Sequence, residues 1–142
     1  MGVNLKALQD GSMGMEGVGL DTGAFLFMNI HYNTATPLAQ SMSLFPRKMI
    51  LQSIVATPDV ASTNAVTATL FQAPSGTAIG TGTALHTGTV NVQGAAAVNQ
   101  PMTLSTVAGA TQVLAGSRIG IVISGALGAA GNGVITLAFT PA

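Results

Sequence analysis

The chain has no cysteine, no tryptophan, one tyrosine and very little charge. Without cysteine there is no disulfide, no thiolate zinc site and no cysteine nucleophile. Charged residues make up 6% of the 142, against about 25% in an ordinary soluble domain. Four cations (Lys6, Arg47, Lys48, Arg118) balance four anions (Asp10, Glu16, Asp21, Asp59), which leaves no electrostatic footprint for the phosphates of a nucleic acid. From Val60 to Ser117, a run of 58 residues, nothing is charged. Disorder does not explain the run, because disordered chains are poor in Val, Ile and Leu and rich in charge. A lone particle with zero net charge and so few surface charges would self-associate. The composition therefore predicts an exterior largely covered by copies of the chain or by a partner.

Other absences concern targeting. The first residues, MGVNLKALQDGSMGMEGVG, contain no apolar run of signal-peptide length. Lys6 stands where N-myristoylation would need Ser or Thr. No Asn-x-Ser/Thr sequon occurs. The expectation is a protein made and used without general secretory export.

What is present divides into two regions. Residues 1–24 hold Lys6, Asp10, Glu16 and Asp21 among many Gly and Met, with no periodic apolar face. Gly11, Gly14, Gly17 and Gly19 would each cost about 1 kcal/mol in a helix interior, so the reading is an extended N-terminal arm. From Phe25 to Ala142 the pattern is that of strands. FLFMNIH (25–31) precedes a connection marked by Asn33 and Pro37. KMILQSIVAT (48–57) is apolar on both alternating faces, Met49, Leu51 and Val55 against Ile50 and Ile54, which suits a central strand closed by Pro58 and Asp59. AVTATLFQ (65–72) sets Val66, Ala68 and Leu70 against Thr67 and Thr69. One or two glycine-broken strands follow in 76–93 with Val90 and Val92 inward, then PMTLST (101–106) with Met102 and Leu104 inward.

The last two strands read as a hairpin. RIGIVIS (118–124) carries Ile119, Ile121 and Ile123 on one face, and VITLAFT (134–140) carries Ile135, Leu137 and Phe139, joined by a loop with Asn132-Gly133 as its turn dipeptide. Ile119 to Phe139 is uncharged and long enough to span a bilayer, but the period-2 alternation and the interruptions at Ser124, Asn132 and Thr136 argue against a membrane helix. Seven or eight short strands with Gly, Pro and Asn punctuation imply an all-β sandwich or barrel. The immunoglobulin type lacks its Cys pair and Trp here, so the expected fold is a jelly-roll-like β-sandwich over 25–142.

Candidates for chemistry are few. His31 and His86 lie on separate strand candidates, and Asp59 is the one acid of the body. A Ser/His31/Asp59 meeting would be needed for nucleophilic catalysis, and the Gly-x-Ser-x-Gly elbow is missing. Paired carboxylates across a cleft are not supplied when three of four acids sit in the arm. Two dispersed histidines do not make a metal site. GTGTALHTG is glycine-rich without a phosphate-binding pattern, and the Thr-x-Thr pairs (Thr67/Thr69, Thr81/Thr83, Thr87/Thr89) are irregularly spaced, as expected of strand-favouring threonine and not of an ice-binding ladder. No enzyme and no cofactor are expected. Arg47-Lys48 is the dense charge feature of the body, placed at a strand entrance, and its candidate counter-charges are the arm's Asp10, Glu16 and Asp21 in a neighbouring copy.

The Gly-rich arm and the Ala/Thr/Gly/Val body ending in VLAGSRIGIVISG and GVITLAFTPA resemble the small jelly-roll cement or decoration proteins of tailed-bacteriophage heads. The resemblance is closest over 113–140. It implies a non-enzymatic virion protein, made in the host cytoplasm and seated on the capsid exterior. Such a protein bridges major capsid proteins, acts as a dimer or trimer, and uses its terminal arm to add a strand to a capsid sheet. On that reading Lys6, Asp10, Glu16, Asp21, Arg47 and Lys48 are the partner-contacting residues. A second reading is a receptor- or glycan-binding sandwich of a tail or fibre, for which Tyr32 would be the aromatic platform.

Overall fold

The computed structural model describes residues 25–34, 39–128 and 131–142. The expected arm, residues 1–24, lies outside the described residues. Ten strands form two antiparallel sheets: β1 (Leu26–Tyr32), β2 (Ala39–Leu44), β3 (Met49–Val60), β4 (Thr67–Ala73), β5 (Thr83–Ala84), β6 (Val90–Asn91), β7 (Gln100–Met102), β8 (Gln112–Val113), β9 (Arg118–Ile123) and β10 (Asn132–Pro141). One sheet has the order β1-β10-β3-β7 with β8 also on β3, and the other β2-β9-β4-β5 with β6 also on β4. A short 3₁₀ turn, Ile79–Thr81, precedes β5. Setting the two-residue β6 and β8 aside, the first strand pairs with the last, the second with the next to last, β3 with β7 and β4 with β5. A long hairpin rolled into two sheets in this way is a jelly roll, the fold the strand count and punctuation predict.

The alternating apolar residues face each other across the sheets. Ile30, Leu51, Ile54, Ile135, Leu137 and Phe139 from one sheet meet Ala68, Leu70, Ile119, Ile121 and Ile123 from the other, all at most 3% exposed. Face-to-face sheets pack about 10 Å apart, and these side chains fill that layer together with Tyr32, Phe45, Met49, Leu85, Val90 and Val113. Phe45, between β2 and β3, tilts onto Phe139 with ring centroids 5.0 Å apart, within the range aromatic pairs favour.

β3 corrects the sequence reading in two places. Its inward residues are Met49 and Leu51, then Ile54 and Ala56, so the alternation changes phase at Gln52. The register shows why: Leu51 pairs with Phe139 and Ser53 with Ala138, leaving Gln52 as a bulge residue. One extra residue turns the following side chains to the opposite face, and Val55 is therefore outward. Nor does Pro58 end the strand, which continues to Val60 past a second bulge at Asp59. The Pro58 carbonyl accepts from Ala97 N at 2.7 Å, on the side where β7 has already stopped. In a strand the N–H of a residue points the same way as its carbonyl, so the donor Pro lacks would have served no ladder bond.

Two further expectations fail for one reason, the choice of strand partner. The sequence pattern carries the connection marked by Asn33 and Pro37 through Gln40, but an edge strand on β9, Ala39–Leu44, already begins at Ala39; AQSMSL shows no strict apolar alternation, and its pairing with β9 defines it. RIGIVIS and VITLAFT are both core strands, but they do not form a hairpin: β9 pairs with β2 and β4, while β10 pairs with β1 and β3. The intervening segment crosses from one sheet to the other and is held by Ser62, whose Oγ accepts from Gly128 N and from Asn64 N, both at 3.1 Å. Asn132-Gly133 is no turn either, because both residues belong to β10.

Gly133 has a packing role instead. It lies opposite Tyr32 in the β1·β10 pair, and a Cβ there would come within 2.5 Å of the Tyr32 hydroxyl and 2.6 Å of the Thr57 carbonyl oxygen. Tyr32 is 1% exposed, and its hydroxyl has no hydrogen-bond partner. Burial, followed by the charge of Asp59, raises its pKa. Two outcomes are expected in thermal or denaturant unfolding. Gly133→Ala loses about 1–3 kcal/mol through overpacking against backbone. Tyr32→Phe keeps or gains stability because it removes a desolvated, unpaired hydroxyl, and a loss beyond about 1 kcal/mol would show that the hydroxyl has a partner.

Candidate interaction surface

Some polar side chains inside the fold bond to backbone groups that the ladders leave open. β4 pairs with β6 at Thr67 and Ala68 and with β5 at Phe71 and Gln72, which leaves Leu70 in the gap. His86 closes it: Leu70 N donates to His86 Nε2 at 3.1 Å, and Leu85 N donates to the Leu70 carbonyl at 2.9 Å. With Nε2 accepting, the ring proton belongs on Nδ1, which faces the Thr87 carbonyl at 3.3 Å. His86 is 3% exposed. His86 is thus a buried partner of the backbone, and its place between two sheet fragments depends on contacts no local pattern reveals.

Arg118 is the second such residue. At the start of β9 its guanidinium donates to Ser41 Oγ at 2.9 Å, to the Pro74 carbonyl at 3.3 Å and to the Thr77 carbonyl. It ties the edge strand β2 to the turn after β4, a charge-assisted clamp.

The structure keeps the candidate catalytic groups apart. His31 is exposed on β1, and Asp59 is exposed at the second bulge of β3, with β10 between the two strands. Two interstrand spacings separate them by about 9.5 Å of backbone. A pocket of about 240 Å³ beside β4 is lined by Gln72, Pro74, Thr83, Gln112, Leu114 and Ser117 among others. None of its lining residues is ionisable, and Gln72 Nε2 is engaged by the Gly109 and Ala110 carbonyls at 3.1 and 2.7 Å. Among the described residues no three His, Cys, Asp or Glu side chains cluster as a metal site would require, and no helix is long and apolar enough to cross a membrane.

Of the six partner-contact candidates, Lys6, Asp10, Glu16 and Asp21 lie outside the described residues. Arg47 and Lys48 are exposed, immediately before β3. Met49 pairs with Pro141 and Leu26 with Phe139, so Arg47, Lys48 and Phe25 are at one end of the same sheet. Asp59 is at the other end, about 30 Å along β3 at the usual rise per residue. These three are the exposed charged residues among those described.

Between the two ends stretches an outer sheet face without charge. Phe27, Asn29 and His31 of β1 alternate outward beside Ala138, Thr136 and Val134 of β10, followed by Ser53, Val55 and Thr57 of β3. Thr136 Oγ1 donates to Asn29 Oδ1 at 2.9 Å, and Gln52 Nε2 donates to Thr140 Oγ1 at 2.9 Å. Phe25, Leu26 and Phe27 are 55%, 41% and 65% exposed, with the two phenyl rings stacked at 6.1 Å. Sequence reasoning missed this aromatic cluster as a surface; the pattern FLF was visible, but its exposure follows from β1 being an edge strand. Tyr32, the platform of the glycan-binding alternative, is buried and presents no face to a sugar.

No protein-family model and no curated protein matches the chain. Among solved structures, a chain of the cyanophage Pam1 capsid asymmetric unit is similar, with a TM-score of 0.49 and 15% identity over 84% of this chain and 84% of that one. A likeness of that degree does not carry a function.

The His86 geometry generates a pH dependence. Burial first lowers its pKa from the ordinary 6.5, against a smaller raising effect of the Thr87 carbonyl. The unfolded chain therefore takes up the proton before the folded one. The histidine's contribution is fully present above about pH 6.5 and declines as pH falls below it. The melting temperature should drop as pH falls below about 6.5, and His86→Leu should remove most of that drop while costing about 1–3 kcal/mol at neutral pH through the unpaired Leu70 N–H. An equal drop in the variant would assign the pH dependence to other groups.

Proposed function

We propose that this chain is a structural virion protein: a cement or decoration protein on the outside of a tailed-phage head, where it bridges neighbouring major capsid proteins and strengthens the shell. The observation that carries this reading is the uncharged outer face of the β1-β10-β3 sheet, flanked by exposed Phe25, Leu26 and Phe27. The exposed apolar cluster Phe25, Leu26 and Phe27 at its edge suits contact with protein more than contact with water. The polar residues inside the fold serve the backbone, and the pocket beside β4 lacks an acid, a base or a charged group. This leaves faces and edges to carry the function. Copies on a lattice turn weak individual contacts into firm attachment, and strand addition needs few specialised side chains.

Homo-oligomers of the chain, dimer or trimer, belong to the same reading, as does synthesis in the host cytoplasm followed by placement on the capsid exterior. Residues 1–24, with Lys6, Asp10, Glu16 and Asp21, join the body at the end where Arg47 and Lys48 are exposed. Both sets of charges are proposed partner contacts.

Co-sedimentation tests the proposal. The purified chain should pellet with assembled heads and associate weakly, if at all, with free major capsid protein. The double change Arg47→Glu/Lys48→Glu should weaken head binding at least about tenfold without lowering the melting temperature, since exposed rim charges act on association more than on folding. Equal binding to heads and free subunits, or binding to neither, overturns it.

A further inference from the structure

We propose that β1 is a self-pairing edge: two copies of the chain join antiparallel, β1 to β1, about a two-fold axis, making one continuous sheet across a dimer. This deepens the assembly reading above by naming the surface and its symmetry.

The argument starts from how each sheet edge ends. An open edge strand templates pairing with another chain unless it is short, bulged, charged or interrupted by proline. β7 has three residues including Pro101, and β8, β5 and β6 have two each. β2 carries a register shift between Ser41 and Ser43. β1 differs from all of these. Its seven residues, LFMNIHY, contain no charge, proline or glycine, and they pair with β10 in unbroken register. No described strand takes its other side. Such an edge is an aggregation site unless something covers it.

The occupant that fits is a second copy. An uncharged strand laid antiparallel against itself meets no like-charge repulsion. A charged partner strand would find no counter-charge beside it, because Arg47, Lys48 and Asp59 are at the two ends of the sheet. An isologous contact also closes, satisfying both edges and leaving none to propagate into a fibre. Full overlap of Leu26–Tyr32 with itself centres on Asn29 and sets Phe27 of each copy opposite His31 of the other. The exposed Phe25 and Phe27 rings then supply the apolar area that an isolated two-strand contact lacks.

The absence of cysteine makes the test specific. The full chain should run in light scattering at twice its 14.1 kDa mass. Directly opposed residues of antiparallel strands have Cα atoms about 4.5–5.5 Å apart, inside the disulfide range. Asn29→Cys should therefore crosslink two copies under mild oxidation, while Ser75→Cys, on an exposed turn, should not. Phe25→Lys/Phe27→Lys should raise the dimer dissociation constant at least tenfold and keep the cooperative melt, since neither ring is in the core. A dimer that Asn29→Cys fails to crosslink, or a trimer, overturns the proposal while leaving head binding intact. A monomer overturns it too, and hydrogen exchange then identifies the cover: slow β1 amides mean residues 1–24 of the same chain, and fast ones mean an edge kept for a different protein. Loss of head binding by a crosslinkable dimer would instead sink the cement reading and leave the edge pairing standing.

Discussion

The inward aliphatic layer between the two sheets is the constraint on which the rest of the molecule depends. With almost no charge and few aromatics, stability has to come from burying Ile, Leu and Val at close-packed density. Such a layer tolerates no error of phase, because a slip of one residue turns every following side chain outward. The bulge at Gln52 is where β3 meets that demand: it lets Leu51 and Ile54, three apart in sequence, both face the core. Gly133 meets it on the neighbouring strand by leaving room for the Tyr32 ring.

The same layer dictates where polar groups are found inside. Short strands on the β4 side leave backbone donors without a ladder, and a buried unpaired N–H is costly. His86 and Ser62 occupy those gaps, and Arg118 collects carbonyls at the rim. Each resembles a catalytic or binding residue by type alone. Their partners are groups of the chain itself, backbone atoms for His86 and Ser62 and both backbone carbonyls and the Ser41 hydroxyl for Arg118, so these polar residues hold the fold together.

What faces outward follows from what the sandwich does not need. The outer face of the β1-β10-β3 sheet contributes nothing to the core, yet it carries no charge and a stacked pair of phenyl rings at its edge. Free in water, such a face gains nothing from its composition. Against protein it gains by burial, without the desolvation cost of charged groups. Edge and face therefore carry the proposed assembly.

Much of this was legible in the residues themselves. Period-2 alternation at Val66, Ala68 and Leu70, at Ile119, Ile121 and Ile123, and at Ile135, Leu137 and Phe139 identified core strands, since alternation is a local property that any strand must show when one face is buried. Strand punctuation and length identified the sandwich. Partnering belonged to the tertiary structure alone. β1 pairs with a strand more than a hundred residues away, β9 and β10 part into opposite sheets, and the polar segment Ala39–Leu44 becomes a strand by backbone pairing. Backbone hydrogen bonds are alike for every residue pair, so no local pattern names the partner; only the packing of the whole layer selects it. That selection put FLF at the start of an edge strand among the described residues and the one tyrosine in the core.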